Sequence, residues 1–120
     1  MMIITITMNI IKINTSHQLT QRIMTSTRPS VIQFTGKNCN PCKLFKKKIA
    51  ETYIPVEVFD VDFYENKQIG KLFNVSVLPT AIFIDEQQPV ARMNGLKEYD
   101  DFIELVKPVV NDECVVVHWE

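Results

Sequence analysis

The chain predicts a three-layer α/β fold, a central mixed β-sheet flanked by helices, with β-prone extensions at both ends. β-Branched apolar runs alternate with segments of helical period through most of its 120 residues. One run, Val31 to Thr35, is mostly apolar on both sides of the pleat, with Gln33 as the odd member, which is the pattern of a central strand covered on two faces. Ala81 to Ile84 and Val90 to Met93 are separated by the turn-forming stretch Asp85 to Pro89, and so read as a hairpin.

In chain order, Met1 to Met8 is a β-prone start that Asn9 interrupts, and Ile10, Ile11 and Ile13 make a second strand. Thr15 and Gln18 have the spacing of a capping box for a helix from Ser16 to about Thr25, with Leu19 and Ile23 on one face. Arg28-Pro29-Ser30 ends that helix and introduces the central strand. After Asn38-Cys39-Asn40-Pro41-Cys42, Leu44, Phe45 and Ile49 give the apolar stripe of a helix reaching about Tyr53. Lys43, Lys46, Lys47 and Lys48 give its wet face, with cations toward its end to suit the dipole. Pro55 marks a break before a strand from Val56 to Val61, whose Asp60 and Asp62 read as solvated strand-end residues.

Glu65 to Phe73 is a short helix through Ile69, Leu72 and Phe73, with Gly70 as a weak point. Tyr99, Phe102, Ile103 and Val106 give a last amphipathic helix that Pro108 stops. Asn111-Asp112-Glu113 then reads as a turn and Cys114 to Trp119 as an edge strand. No repeat or linker divides the chain, and residues 1–120 are expected to form a single domain.

Composition narrows the function. Lys and Arg number 13 against 14 Asp and Glu, a formal net charge of −1. Such a balance gives no global footprint for nucleic acid or an anionic membrane. No apolar run approaches the roughly 18 residues of a membrane span. Met1 to Met8 lacks the basic region and small-residue cleavage site of a signal peptide, so the expected location is the cytoplasm.

Three cysteines are present, Cys39 and Cys42 as a local pair and Cys114 alone. The pair sits where a strand gives way to the first turn of a helix. Unpaired backbone N–H groups and the helix dipole there stabilise a thiolate, making the first sulfur a nucleophile. The second, one turn on, is placed to attack a mixed disulfide and release the partner. Cys-x-x-Cys is also half of a zinc knuckle, but no second pair exists and His17, His118 and Cys114 lack knuckle spacing. Cys114 reads as a buried or incidental thiol. The apolar ends, 1–8 and 110–120, pair with each other, extend the sheet, form a dimer contact or stay disordered.

The order of elements, with Cys39 and Cys42 at the head of the second helix, resembles the thioredoxin family from about Ile10 to Val109. Val31-Ile32-Gln33-Phe34 matches its central strand, Lys43 follows the motif as in many members, and Asp60-Val61-Asp62 ends the next strand. Val77-Leu78-Pro79-Thr80 matches the segment around its cis-proline, and Gly95 a glycine of its substrate-docking loop. The resemblance implies a thioredoxin-like fold, Cys39 as nucleophile, Cys42 as resolving thiol, and Leu78, cis-Pro79 and Gly95 as a substrate platform. It implies no bound cofactor, only the Cys39–Cys42 disulfide/dithiol.

Three positions depart from the family pattern. Asn38 replaces the tryptophan that borders the active surface, and Asn40, beside Pro41, replaces the motif's glycine and tunes the redox potential, with Lys37 and Lys43 adding positive charge. Gln33 stands where the family has a buried aspartate that assists proton transfer at the second cysteine. A neutral amide cannot act as that base, so resolution falls to solvent, the thiol pair itself or another carboxylate.

The expected function is therefore reduction of protein disulfides by dithiol–disulfide exchange. The expected donor is a thioredoxin reductase or its equivalent, and ribonucleotide reductase is one candidate substrate. Glutaredoxin-like, glutathione-dependent reduction and a non-enzymatic binding subunit are the alternatives.

Overall fold

The computed structural model describes residues 9–52 and 54–112. The expected strand at Met1–Met8, the helix end at Tyr53, Glu113 and the expected strand at Cys114–Trp119 lie outside them. The described elements are β1 (Asn9–Ile13), α1 (Ser16–Thr25), β2 (Ser30–Thr35), α2 (Asn40–Thr52) and β3 (Glu57–Asp62), followed by α3 (Lys67–Leu72), β4 (Thr80–Asp85), β5 (Gln88–Asn94), a 3₁₀ turn (Leu96–Glu98) and α4 (Tyr99–Asp112).

The sheet order is β1-β3-β2-β4-β5. β3 runs parallel to both β1 and β2, while β4 is antiparallel to β2 and β5. Alternation along each strand sorts the apolar residues onto two faces. Ile32, Phe34, Phe59, Val61 and Ile82 meet Leu19 of α1 and Ile69 of α3 on one side. Val31, Val58, Ala81, Phe83 and Met93 meet Phe45 and Ile49 of α2 and Phe102, Ile103 and Val106 of α4 on the other. The fold is thus the expected α/β sandwich of three layers.

Local chemistry explains the element ends. Thr15 caps α1 by accepting from the Gln18 N–H at 3.0 Å, and the Gln18 side chain reaches back to the N–H of Asn14, one residue beyond the usual capping-box position, at 2.7 Å. α3 ends in a Schellman arrangement: Asn74 takes φ 55°, its N–H bonds the Lys71 carbonyl at 3.1 Å, and Val75 N–H bonds that of Gly70 at 2.8 Å. The β4–β5 hairpin turns through Glu86 and Gln87 at φ 50° and 67°, both left-handed, as a two-residue turn with this twist requires.

Several expectations need correction. Asn9, read as an interruption, is itself a strand residue of β1. Leu44 and Leu72 are 45% and 71% exposed, because at about 100° per residue they fall outside the buried arcs that Cys42, Phe45 and Ile49 define on α2 and Ile69 and Gly70 define on α3. The last turn of α2 holds no base, so the lysines sit mid-helix and do not complement its C-terminus. α3 begins at Lys67, not Glu65, because Asp62 Oδ1 accepts from the N–H groups of Tyr64 and Glu65 at 2.9 and 3.0 Å and keeps those residues in a turn.

Pro108 lies inside α4, and Asn111 and Asp112 are helical rather than a turn. Its ring faces solvent, where water can serve the carbonyl that loses its partner, while Val106 and Val109 continue the apolar contact with the core. Gly70, expected to be a weak point, is a packing requirement: a Cβ there would stand 2.5 Å from the Phe63 ring.

Candidate active site

The end of β2, the start of α2 and the start of β4 meet at one end of the sheet's central strands. Thr80 at the head of β4 pairs with Phe34 near the end of β2 and with Asn94 at the end of β5. That register carries Pro79 and Gly95 to the end of the sheet where Cys39 and Cys42 emerge. The Leu78–Pro79 peptide bond is cis, and the Gly95 N–H donates to the Pro79 carbonyl at 2.9 Å. Gly95 holds φ 90°, a conformation L side chains rarely adopt. The expected platform residues are therefore joined directly.

Cys39 occupies the cap position immediately before α2. Its sulfur accepts the N–H of Cys42 at 3.1 Å, the bond a serine or aspartate oxygen makes at an ordinary N-cap. The Cys39 carbonyl accepts from the Lys43 N–H at 3.2 Å, the first closed turn of the helix. Cys39 and Cys42 are joined as a disulfide with Cα atoms 5.2 Å apart. Their surroundings differ: Cys39 is half-exposed and Cys42 is 1% exposed. Of the two sulfur-bearing residues, Cys39 is the one open to solvent. Asn38, Asn40 and Pro41 are all exposed at the rim.

The structure gives Tyr64, which no motif singles out, a specific place. It lies over Gly36, where an added Cβ would stand 2.7 Å from the Tyr64 ring and 3.4 Å from Leu78. Together with Asn38, Cys39, Lys37, Asp62 and Glu65 it lines a groove of about 430 Å³ beside the half-exposed sulfur. Phe63 supports it edge-on at 5.5 Å between ring centroids. An aromatic surface thus borders Cys39 even though Asn38 is not aromatic. Lys37 is less available to the sulfur than its proximity in sequence implies, since its ammonium lies 3.6 Å from Glu65 Oε1 in an exposed pair.

Gln33, in the strand that leads to the motif, is 2% exposed. Its Nε2 donates to Asp60 Oδ1 at 3.0 Å and its Oε1, also buried, has no partner. Asp60 is consequently not a solvated strand end: it sits within β3, in register with Gln33, and its other oxygen is 3.9 Å from Lys46 Nζ. Lys46 belongs in part to this contact rather than wholly to the solvated face. Among the described residues no group of three or more His, Cys, Asp or Glu could hold a metal ion, and no helix is long and apolar enough to cross a membrane.

The family model for thioredoxin matches residues 10–108. The chain belongs to the thioredoxin family. Part of it is 31% identical over 106 residues to the thiol:disulfide interchange protein DsbD of Campylobacter jejuni, an alignment covering 80% of this chain and 19% of that protein. Mouse mitochondrial thioredoxin is 26% identical over 93 residues, covering 74% of this chain and 56% of the relative. The chain therefore spans only a fifth to about half the length of these relatives.

Among solved structures, thioredoxin of Trypanosoma brucei brucei superposes with a TM-score of 0.73 at 23% identity, covering 87% of this chain and 93% of that one. The short form of spinach chloroplast thioredoxin f does so at 0.70 and 26% identity, covering 88% and 96%. In a thioredoxin-family domain this cysteine pair supports thiol–disulfide exchange, chemistry that runs on the pair itself and needs no cofactor.

Proposed function

We propose that the chain reduces protein disulfides in the cytoplasm, with Cys39 as nucleophile and Cys42 as resolving thiol. One observation carries the assignment of roles: the half-exposed Cys39 sulfur accepts the Cys42 N–H at the head of α2, while Cys42 is buried behind it. In the reduced protein that N–H and the helix dipole stabilise negative charge on Cys39.

The thiolate attacks one sulfur of the substrate disulfide, a new S–S bond forms to Cys39, and the other substrate sulfur leaves as a thiolate that takes a proton. Cys42, losing its own proton, then attacks Cys39, and the second substrate sulfur leaves and is protonated in turn. Two electrons pass to the substrate and the Cys39–Cys42 disulfide remains. A backbone platform at cis-Pro79 and Gly95, with Leu78 and Tyr64 at its sides, receives the chain that carries the substrate disulfide.

The electron donor is a thioredoxin reductase or an equivalent dithiol, and ribonucleotide reductase is one candidate acceptor. The similarity to an interchange protein, of which the chain covers 19%, favours a second reading in which another protein's dithiol is the donor. The test is reduction of insulin disulfides by the wild-type chain and by Cys39→Ser, supplied in parallel with NADPH plus thioredoxin reductase and with NADPH, glutathione and glutathione reductase. Turnover in the first system that Cys39→Ser abolishes is the expected result. Turnover only with glutathione would replace the reading with a glutaredoxin-like one, and none in either system would favour a binding role.

A further inference from the structure

The proton that Cys42 must lose has no base at position 33, where an amide stands. Alternation along the strands shows what replaces it. Val31 belongs to the face covered by α2 and α4, so Gln33 and Thr35 share that face, as do Val58, Asp60 and Asp62 on the neighbouring strand. Phe45 and Ile49 of α2 cover Val31 and Val58, which leaves the next row, Gln33 and Asp60, beneath the first turn of the helix where Cys42 is buried. The contact of Lys46, one turn beyond Cys42, with Asp60 fixes α2 over this row.

We propose that Asp60 is the acceptor of the Cys42 proton, so that the carboxylate needed for resolution has moved from the central strand to its neighbour and Gln33 has become its positioning residue. Gln33 Nε2 holds Asp60 Oδ1 at 3.0 Å, and Thr35 Oγ1 lies 3.4 Å from the same oxygen. Gln33 Oε1, buried and without a donor in the disulfide form, is the acceptor that the Cys42 S–H or a bridging water meets once the disulfide is reduced. The charges facing Asp60 are Lys46 from α2, Lys12 in register on β1, and Asp62 two residues along its own strand.

In the step itself the Cys42 proton passes to the Asp60 carboxylate, directly or through one water. The Cys42 sulfur bonds Cys39, the Cys39–substrate S–S bond breaks with its electron pair leaving on the substrate sulfur, and Asp60 returns its proton to solvent or to that leaving thiolate.

This inference rests on the roles proposed for Cys39 and Cys42, and its test separates the two. Reduced protein in a Cys114→Ser background is mixed with dithiobis-nitrobenzoate, which releases one coloured thiolate when Cys39 attacks and a second when Cys42 resolves. The first release is expected to be unchanged in Asp60→Asn, while the second slows by about 100-fold near neutral pH. Its rate should then climb about tenfold per pH unit, where the wild type is nearly flat, because solvent base must replace the carboxylate. The swap Gln33→Asp with Asp60→Asn, which restores a carboxylate hydrogen-bonded to an amide, should return the second release to within a few-fold of wild type.

Asp60→Ser repeats the test should Asp60→Asn not fold, as judged by its melting transition. An unchanged second release, a loss equal at every pH, or a folded swap that stays slow would overturn the role of Asp60. A wild type that releases no second thiolate would overturn the roles of the cysteines instead.

Discussion

Replacing Tyr64 with Ala removes the aromatic surface beside Cys39 while leaving both sulfurs in place. Tyr64 is 63% exposed, so of a side chain worth roughly 200 Å² about 125 Å² is free for a partner to cover. At about 25 cal/mol per Å², complete coverage would contribute about 3 kcal/mol and coverage of half about 1.5 kcal/mol, or roughly tenfold in affinity. The variant should therefore raise KM for a protein disulfide such as insulin about tenfold, with the rate on a small aromatic disulfide within about twofold of wild type. Because the ring is mostly in water, the unfolding free energy from denaturant melts should fall by no more than about 1 kcal/mol. Gly36→Ala is the matching perturbation from below, since its Cβ displaces the same ring from 2.7 Å without deleting it. Equal losses on the protein and the small disulfide would show that Tyr64 acts on the sulfurs and not on the substrate chain, and would refute the reasoning.

Helix propensity alone predicts that Gly70→Ala stabilises the protein by about 1 kcal/mol. The 2.5 Å approach to Phe63 reverses the sign, and a net loss of about 1–2 kcal/mol is expected in urea melts. Glu86→Asn with Gln87→Gly places the residues that suit two left-handed positions, and should stabilise by about 0.5–1 kcal/mol despite losing the bond from Gln87 Nε2 to the Met24 carbonyl. Burial raises the Tyr99 pKa above 10.0; the hydrogen bond with Thr52 opposes the shift, and repulsion from Asp100 and Glu51 adds to it. The folded state thus holds that proton more tightly than the unfolded chain. The associated stability is complete below pH 10.0 and is lost as pH rises through the folded value. Tyr99→Phe should flatten the alkaline fall in stability, measured by denaturant melts from neutral pH upward; an undiminished fall would assign it to other groups.

What could be read from the sequence was what short-range geometry decides. Thr15 and Gln18 gave the start of α1 because an N-cap is settled within four residues. The cysteine pair was readable because a strand, a turn and a helix head follow one another around it. Leu44 and Leu72 were misplaced because local apolarity does not say which arc of a helix the sheet will cover. Pro108 was read as a stop because the rule against proline in helices ignores the tertiary contacts that hold α4 together past it. Asp60 and Tyr64 escaped for a stronger reason. Asp60 meets Gln33 across 27 residues through the register of two parallel strands, and Tyr64 meets Gly36 through a turn fixed by Asp62. Nothing local to either residue signals its partner. The one available hint was a polar residue, Gln33, in a strand otherwise built to be buried, since such a side chain requires a partner within the protein.

The position of Cys39 ties the start of the helix to the order of the chemistry. A helix leaves its first N–H groups without intrahelical acceptors, and an N-cap side chain normally supplies one. Here the acceptor is the Cys39 sulfur, so the stabilisation of α2 grows as that sulfur becomes more negative, and the helix is best capped when the nucleophile is ready to react. Oxidation reduces the charge on the sulfur and weakens the same bond, so the disulfide form gives up part of the cap in exchange for the covalent link between positions 39 and 42. Cys42 gains nothing comparable: it lies inside the helix start, shielded from solvent. The two sulfurs therefore differ in both charge stabilisation and access, and on that difference rests the proposed order in which Cys39 acts first and Cys42 second.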